Sequence, residues 1–189
     1  QLAQRLDALN REDPNAIAYQ GKTYPRELLY AQRVSEWVRR LDPAASEAVQ
    51  IAARGQHVCR WNIPRDQYPR NRQGYLKWRE TLKILHMDLV GKEMRELDYP
   101  DGEIEHVRRI MSKRLLPDDP ESQTLEDALC LAFLETEFAE FKQRTADEKR
   151  RDIVRKTWQK MSLKGRQAAA QLPLGEDEKR WLEETLREA

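Results

Sequence analysis

The run Asp119-Pro120-Glu121 followed by SQTLEDALCLAFLETEF constrains the fold more than any other part of the chain. An N-capping aspartate, a proline at the first helical position and an acid in the first turn together start a helix. That helix is expected from about Glu121 to Phe141. Its middle is apolar on nearly every side, so other elements must surround it. The 189 residues hold only 7 glycines, with abundant Leu, Ala, Glu, Arg and Lys and few β-branched runs. Such a composition favours an all-α architecture, and the length suits one domain with a genuine core.

Periodicity places the remaining elements. Leu2 to Asn10 reads as a short helix, and a polar loop follows through Asp13-Pro14 and Gly21 to Pro25. Leu28, Leu29, Val34, Trp37, Val38 and Leu41 recur at threes and fours until Asp42-Pro43 stops them. Ala44 to Trp61 is small and apolar nearly all round, as in a buried helix. Asn62 to Gly74, with Pro64 and Pro69, is a long connection of the kind that borders a site. Helices are then expected over Tyr75 to Leu97 and around Ile104 to Met111. Beyond Asp147 come an amphipathic helix with Val154 and Trp158, a small-residue turn, and a charged last helix around Trp181. The expectation is a single helical domain over residues 1–189, with a core at about 44–141 and the terminal helices packed on it.

Mean hydropathy is −0.91, and no apolar stretch approaches the roughly 20 residues that span a bilayer. The opening QLAQRLDALNRED shows no signal-peptide pattern. A cytoplasmic protein with no membrane partner is expected. Cys59 and Cys130 lie far apart in apolar segments and read as reduced core residues.

Charge is local rather than global. Between residues 54 and 83, Arg54, Arg60, Arg65, Arg70, Arg72, Lys77, Arg79 and Lys83 oppose only Asp66 and Glu80, a local +6 in a chain of net +1. Trp61, Tyr68, Tyr75 and Trp78 are interleaved with them. Guanidinium forks suit phosphate and carboxylate, and aromatic faces suit a base or another guanidinium. The plainer alternative is that these arginines pair with acidic helices elsewhere.

Three residues stand out as acid/base or metal-ligand candidates because each is polar amid apolar neighbours. His57 lies one turn from Ala53 and Trp61, His86 shares a stripe with Trp78, Leu82 and Leu89, and Asp127 lines up with Leu131, Leu134 and Phe138. A buried aspartate needs a cation, a strong donor or a metal. An arginine or a helix N-terminus could satisfy Asp127 equally well, and either histidine could be a hydrogen-bonded core imidazole. Asp88 is expected to face solvent beside Lys92.

The order of elements from about Ala44 to Glu135 resembles the helical core of HD-domain metal-dependent phosphohydrolases. The blocks EIEHVRRIMSKR and QTLEDALCLAFLE carry the likeness. The resemblance implies an HD-domain-like orthogonal helix bundle. It maps His57 onto a first histidine ligand, His86 onto a later active-site histidine and Asp127 onto the closing aspartate, with a divalent metal held by His57 and Asp127. The adjacent His-Asp doublet of that family is missing, and Trp78-Arg79-Glu80 stands where it is expected. The blocks PRELLYAQRVSEW, AARGQHVCRW, IPRDQYPRNRQGYLKWR and KTWQKMS further resemble an uncharacterised bacterial and fungal family catalogued as a domain of unknown function.

Two readings of function follow. In the first, a divergent HD-like domain binds a phosphorylated, nucleotide-like molecule, with hydrolysis left open, and His57, His86 and Asp127 stand at the centre. Arg54, Arg65, Arg72, Arg79 and Lys113 hold phosphate oxygens, and Tyr75 or Trp78 stacks on a base. In the second, the same basic and aromatic strip recognises RNA or an acidic protein without catalysis.

Overall fold

Asp119 accepts a hydrogen bond from the backbone N–H of Ser122 at 3.1 Å, and Pro120 opens the helix behind it, so the central helix starts where the sequence places it. The computed structural model describes residues 1–138, 140–141 and 146–187. In chain order the elements are α1 (Leu2–Arg11), β1 (Ala16–Tyr19), β2 (Lys22–Pro25), α2 (Arg26–Leu41), α3 (Glu47–Gly55), α4 (Arg72–Arg95), α5 (Asp101–Ser112), α6 (Pro120–Thr136), α7 (Asp147–Lys160), α8 (Leu163–Ala169) and α9 (Glu176–Arg187).

Helix α6 is the hub. It packs against α2, α3, α5, α7 and α8, while α4 packs on α1, α3 and α5. Leu125, Ala128, Leu131 and Ala132 are fully buried, as the all-round apolar pattern requires. Leu6, Val34, Val38, Met94, Ile110 and Met111 close around them. Burying each large side chain contributes about 1.5–3 kcal/mol.

Four expectations are corrected. The segment expected as a loop before Pro25 holds a β-hairpin, with Ala16 opposite Pro25 and Tyr19 opposite Lys22. The two-residue turn uses positive φ at Gln20 (49°) and Gly21 (74°), which matches the twist of a tight hairpin. The fold is therefore mostly helical rather than all-α. Helix α6 runs to Thr136 and is interrupted by a turn at Glu137 instead of continuing unbroken to Phe141, with residues 138, 140 and 141 helical again; the Glu137 carboxylate pairs with Arg26 at 3.3 Å. Helix α3 ends at Gly55 instead of Trp61, and the chain turns through Cys59 in the left-handed region, φ 53°. The small-residue turn after Met161 is the short helix α8, capped by Ser162, which accepts from the N–H of Gly165. Cys59 and Cys130 are both buried free thiols.

Candidate functional site

The end of α3 and the middle of α4 approach closely because residue 55 has no side chain. A Cβ there would stand 2.2 Å from Cγ2 of Val90. Val90 lies one turn beyond His86, and His57 lies two residues beyond Gly55, so this contact brings the two histidines together. Their ring centroids are 5.8 Å apart at 45°. His57 also stacks on Tyr30 at 4.8 Å and 10°, and the Tyr30 hydroxyl donates to the Leu129 carbonyl at 3.0 Å.

Both histidines line a cavity of about 390 Å³. One face of α4 contributes Arg79, Leu82, Lys83 and His86, at the three- and four-residue spacing of a helix. Gln56 and Arg60 enter from the turn after α3, Ser112 and Lys113 from the end of α5, Glu126 from α6 and Lys160 from the end of α7. Lys113 ends α5 in the left-handed region, φ 52°, and its ammonium lies 2.8 Å from Glu126. Five cations thus face two carboxylates. Glu126 is taken up by Lys113 and Lys160, and Glu80 by Lys83 at 2.6 Å. No described carboxylate stands within ion-pair distance of Arg79, whose guanidinium lies 5.9 Å from the Tyr75 ring centroid.

Electrostatics follow from burial and from this surplus of positive charge. His86 is 3% exposed, and its Nε2 has no hydrogen-bond partner. Burial, then the neighbouring His57, Arg60 and Lys113, holds its imidazole well below the ordinary 6.5. His57 keeps 24% of its side-chain surface accessible, yet burial and the cations Arg60, Lys113 and Arg79 likewise hold it well below 6.5. Both rings are therefore neutral at pH 7. Burial opposes the charge on Glu126, but Lys113 and Lys160 outweigh it and draw the carboxyl group downward.

The remaining residues singled out in the sequence have other places. Asp127 does not line the cavity. Its carboxylate accepts from the backbone N–H of Ser162 at 2.8 Å, from the Ser162 hydroxyl, and from Gln123 Nε2 at 3.0 Å. The helix N-terminus weighed as an alternative partner is thus the one it meets. Among the described residues, no group of three or more His, Cys, Asp or Glu side chains is placed to hold a metal ion. Arg54 binds Asp7 with two nitrogens, at 2.7 and 2.9 Å. Arg65 donates to the carbonyls of Tyr68 and Pro69 at 2.9 and 2.8 Å. Arg72 sits exposed in the first turn of α4. Trp78 donates from Nε1 to the Ile63 carbonyl at 2.8 Å, with Arg60 over its ring at 4.8 Å, and Tyr75 is 43% exposed. Asp88 pairs with Arg108 at 3.0 Å across to α5, not with Lys92. The connection before α4 borders a second, neighbouring cavity through Ile63, Pro64 and Arg65 rather than the histidine cavity.

Sequence reasoning missed Glu27, Gln56 and Lys160 as parts of this site or its surroundings, and took Lys83 only as one charge of the basic segment. Lys83 carried a usable signal, lying on the same helical face as His86 and Arg79. Glu27 carried none, since an acid in the first turn of α2 is ordinary dipole compensation.

An aspartate engaged at a helix N-terminus and a basic cavity around two neutral histidines define a mostly helical protein with one basic, histidine-lined cavity. The chain belongs to the family described as Domain of unknown function (DUF4202), whose model matches residues 1–181. Among curated proteins and among solved structures, nothing matches the chain.

Proposed function

We propose that the histidine cavity binds a phosphorylated small molecule and that His57 acts there as a base toward a water attacking the phosphate. The observation that carries this reading is the surplus of cations around two neutral imidazoles, one of them buried, with Arg79 free of any described carboxylate and His86 Nε2 unpartnered. Arg79 is exposed and meets no described carboxylate, so its guanidinium fork can take a phosphate without first giving up a partner. A volume of about 390 Å³ lies within the roughly 300–1,000 Å³ that encloses small organic ligands, so the phosphate belongs to a larger molecule such as a nucleotide. A neutral imidazole accepts a proton from water without first losing one. The likeness to HD-domain phosphohydrolases belongs to this proposal and rests on His57 and His86, since Asp127 is engaged at Ser162.

A nucleic-acid-binding reading has its own support outside the cavity. Arg70, Arg72 and Lys77 are exposed with no described carboxylate in ion-pair distance.

The two are separated by thermal shift with inorganic phosphate, mononucleotides and sugar phosphates against a single-stranded oligonucleotide, because a ligand of the folded state raises Tm. Arg79→Ala is expected to weaken the small phosphates by about tenfold to a hundredfold, the value of a charged hydrogen bond. Stabilisation by the oligonucleotide alone, untouched by Arg79→Ala, overturns the small-molecule reading.

A further inference from the structure

Glu27 does not line the histidine cavity, but it stands directly beside one of its imidazoles. It is 7% exposed, and its Oε2 lies 3.3 Å from His57 Nδ1, while Oε1 lies 3.7 Å from Arg60 Nε. The backbone at Glu27 is anchored too, its N–H donating to Asp13 Oδ2 at 2.9 Å. Stacking on Tyr30 sets the plane of the His57 ring, and in that plane Nδ1 is the nitrogen that meets Glu27. An imidazole whose Nδ1 faces an ionised carboxylate carries its hydrogen on Nδ1, and Nε2 is then an acceptor.

We propose that Glu27 is a positioning residue for His57: its carboxylate holds the Nδ1 hydrogen, so the ring offers an unprotonated Nε2 to the cavity. The inference deepens the phosphate-binding reading and rests on it for the ligand alone. It assigns His57 the role of acceptor, for a hydrogen on the phosphate or on an attacking water, and leaves phosphate charge to Arg79, Lys83 and Lys113. The charged and titratable groups around the pair are Asp13, Arg26, Arg60 and Glu137 near Glu27, and Arg79, Lys113 and His86 near His57. No described carboxylate other than that of Glu27 lies within 4 Å of a His57 nitrogen.

The test reads the side-chain ¹⁵N shifts of His57 at pH 8.5 in the wild-type protein and in Glu27→Leu, with and without inorganic phosphate. The wild type is expected to show Nδ1–H and a bare Nε2. Glu27→Leu is expected to shift the ring to Nε2–H, the form that an unpartnered imidazole prefers. At this pH inorganic phosphate still carries one hydrogen, so its binding should perturb Nε2 in the wild type and weaken by about tenfold in the variant, the value of one hydrogen bond. A wild-type ring carrying Nε2–H overturns the proposal without any variant, and so does an unchanged tautomer in a folded Glu27→Leu. Phosphate that leaves both spectra unmoved while the tautomers differ as expected sinks the ligand reading and keeps Glu27 as the residue that orients His57.

Discussion

Asp127 accepts hydrogen bonds from both the backbone N–H and the hydroxyl of Ser162, so one carboxylate ties the start of α8 to α6. Gly165 packs against the same group, where a Cβ would stand 2.6 Å from Asp127 Cγ.

Asp127→Asn is therefore expected to cost stability rather than ligand affinity. The amide nitrogen would face the donors of Ser162, and losing hydrogen bonds to a charged acceptor costs roughly 1.5–3 kcal/mol. Urea denaturation should report that loss while phosphate affinity stays within about twofold, the change left when no cavity group is altered. Gly165→Ala should cost about 1–3 kcal/mol by crowding the same carboxylate. A stable Asp127→Asn protein that no longer binds phosphate would return Asp127 to the ligand site.

Arg54 belongs to the fold in the same sense. Replacing it with methionine leaves Asp7, 7% exposed, without its counter-ion, and breaking such a pair from one side costs about 3–5 kcal/mol. Chemical denaturation measures the loss. Calorimetry with phosphate on the folded fraction should show wild-type affinity, and a weakened affinity at unchanged stability would contradict this placement.

Glu27 gives the pH dependence a definite sign. Burial, with Asp13 adding to it, pushes its carboxyl group from 4.5 to about 7, against the pull of Arg60 and Arg26. The folded state thus holds a proton that the unfolded chain has released, and stability falls as pH rises from about 4.5 to about 7. The buried histidines act oppositely: neutral in the fold and protonated when unfolded, they cost stability as pH falls below 6.5. Glu27→Gln removes only the first effect. Relative to wild type it should be neutral near pH 4.5 and more stable above pH 7 by on the order of 3 kcal/mol. Melting curves at both pH values check this, and a difference that does not grow with pH would contradict a buried acid at this position.

The histidine pair was half legible in the sequence. His57 and His86 each interrupt an apolar stripe, and both line the cavity. Asp127 interrupts one in the same way, but its partner Ser162 lies 35 residues on, beyond the reach of helical periodicity. Arg54 meets Asp7 across 47 residues for the same reason. The hairpin escaped because its strands are four residues each and its turn is Gln20-Gly21 rather than Asn-Gly, the strongest short hairpin signal. The start of α6 was readable because a cap is a local device, needing nothing beyond Asp119 to Ser122.

Gly55 and Val90 couple two positions that no motif connects. Their combined bulk, rather than the identity of either, governs how near the α3 turn and α4 come and so the spacing of the two imidazoles. A relative with alanine at 55 could keep the pair only with a smaller residue at 90. Gly55→Ala and Val90→Ala should therefore be less damaging together than their separate effects add up to, a coupling visible as covariation wherever both histidines are retained.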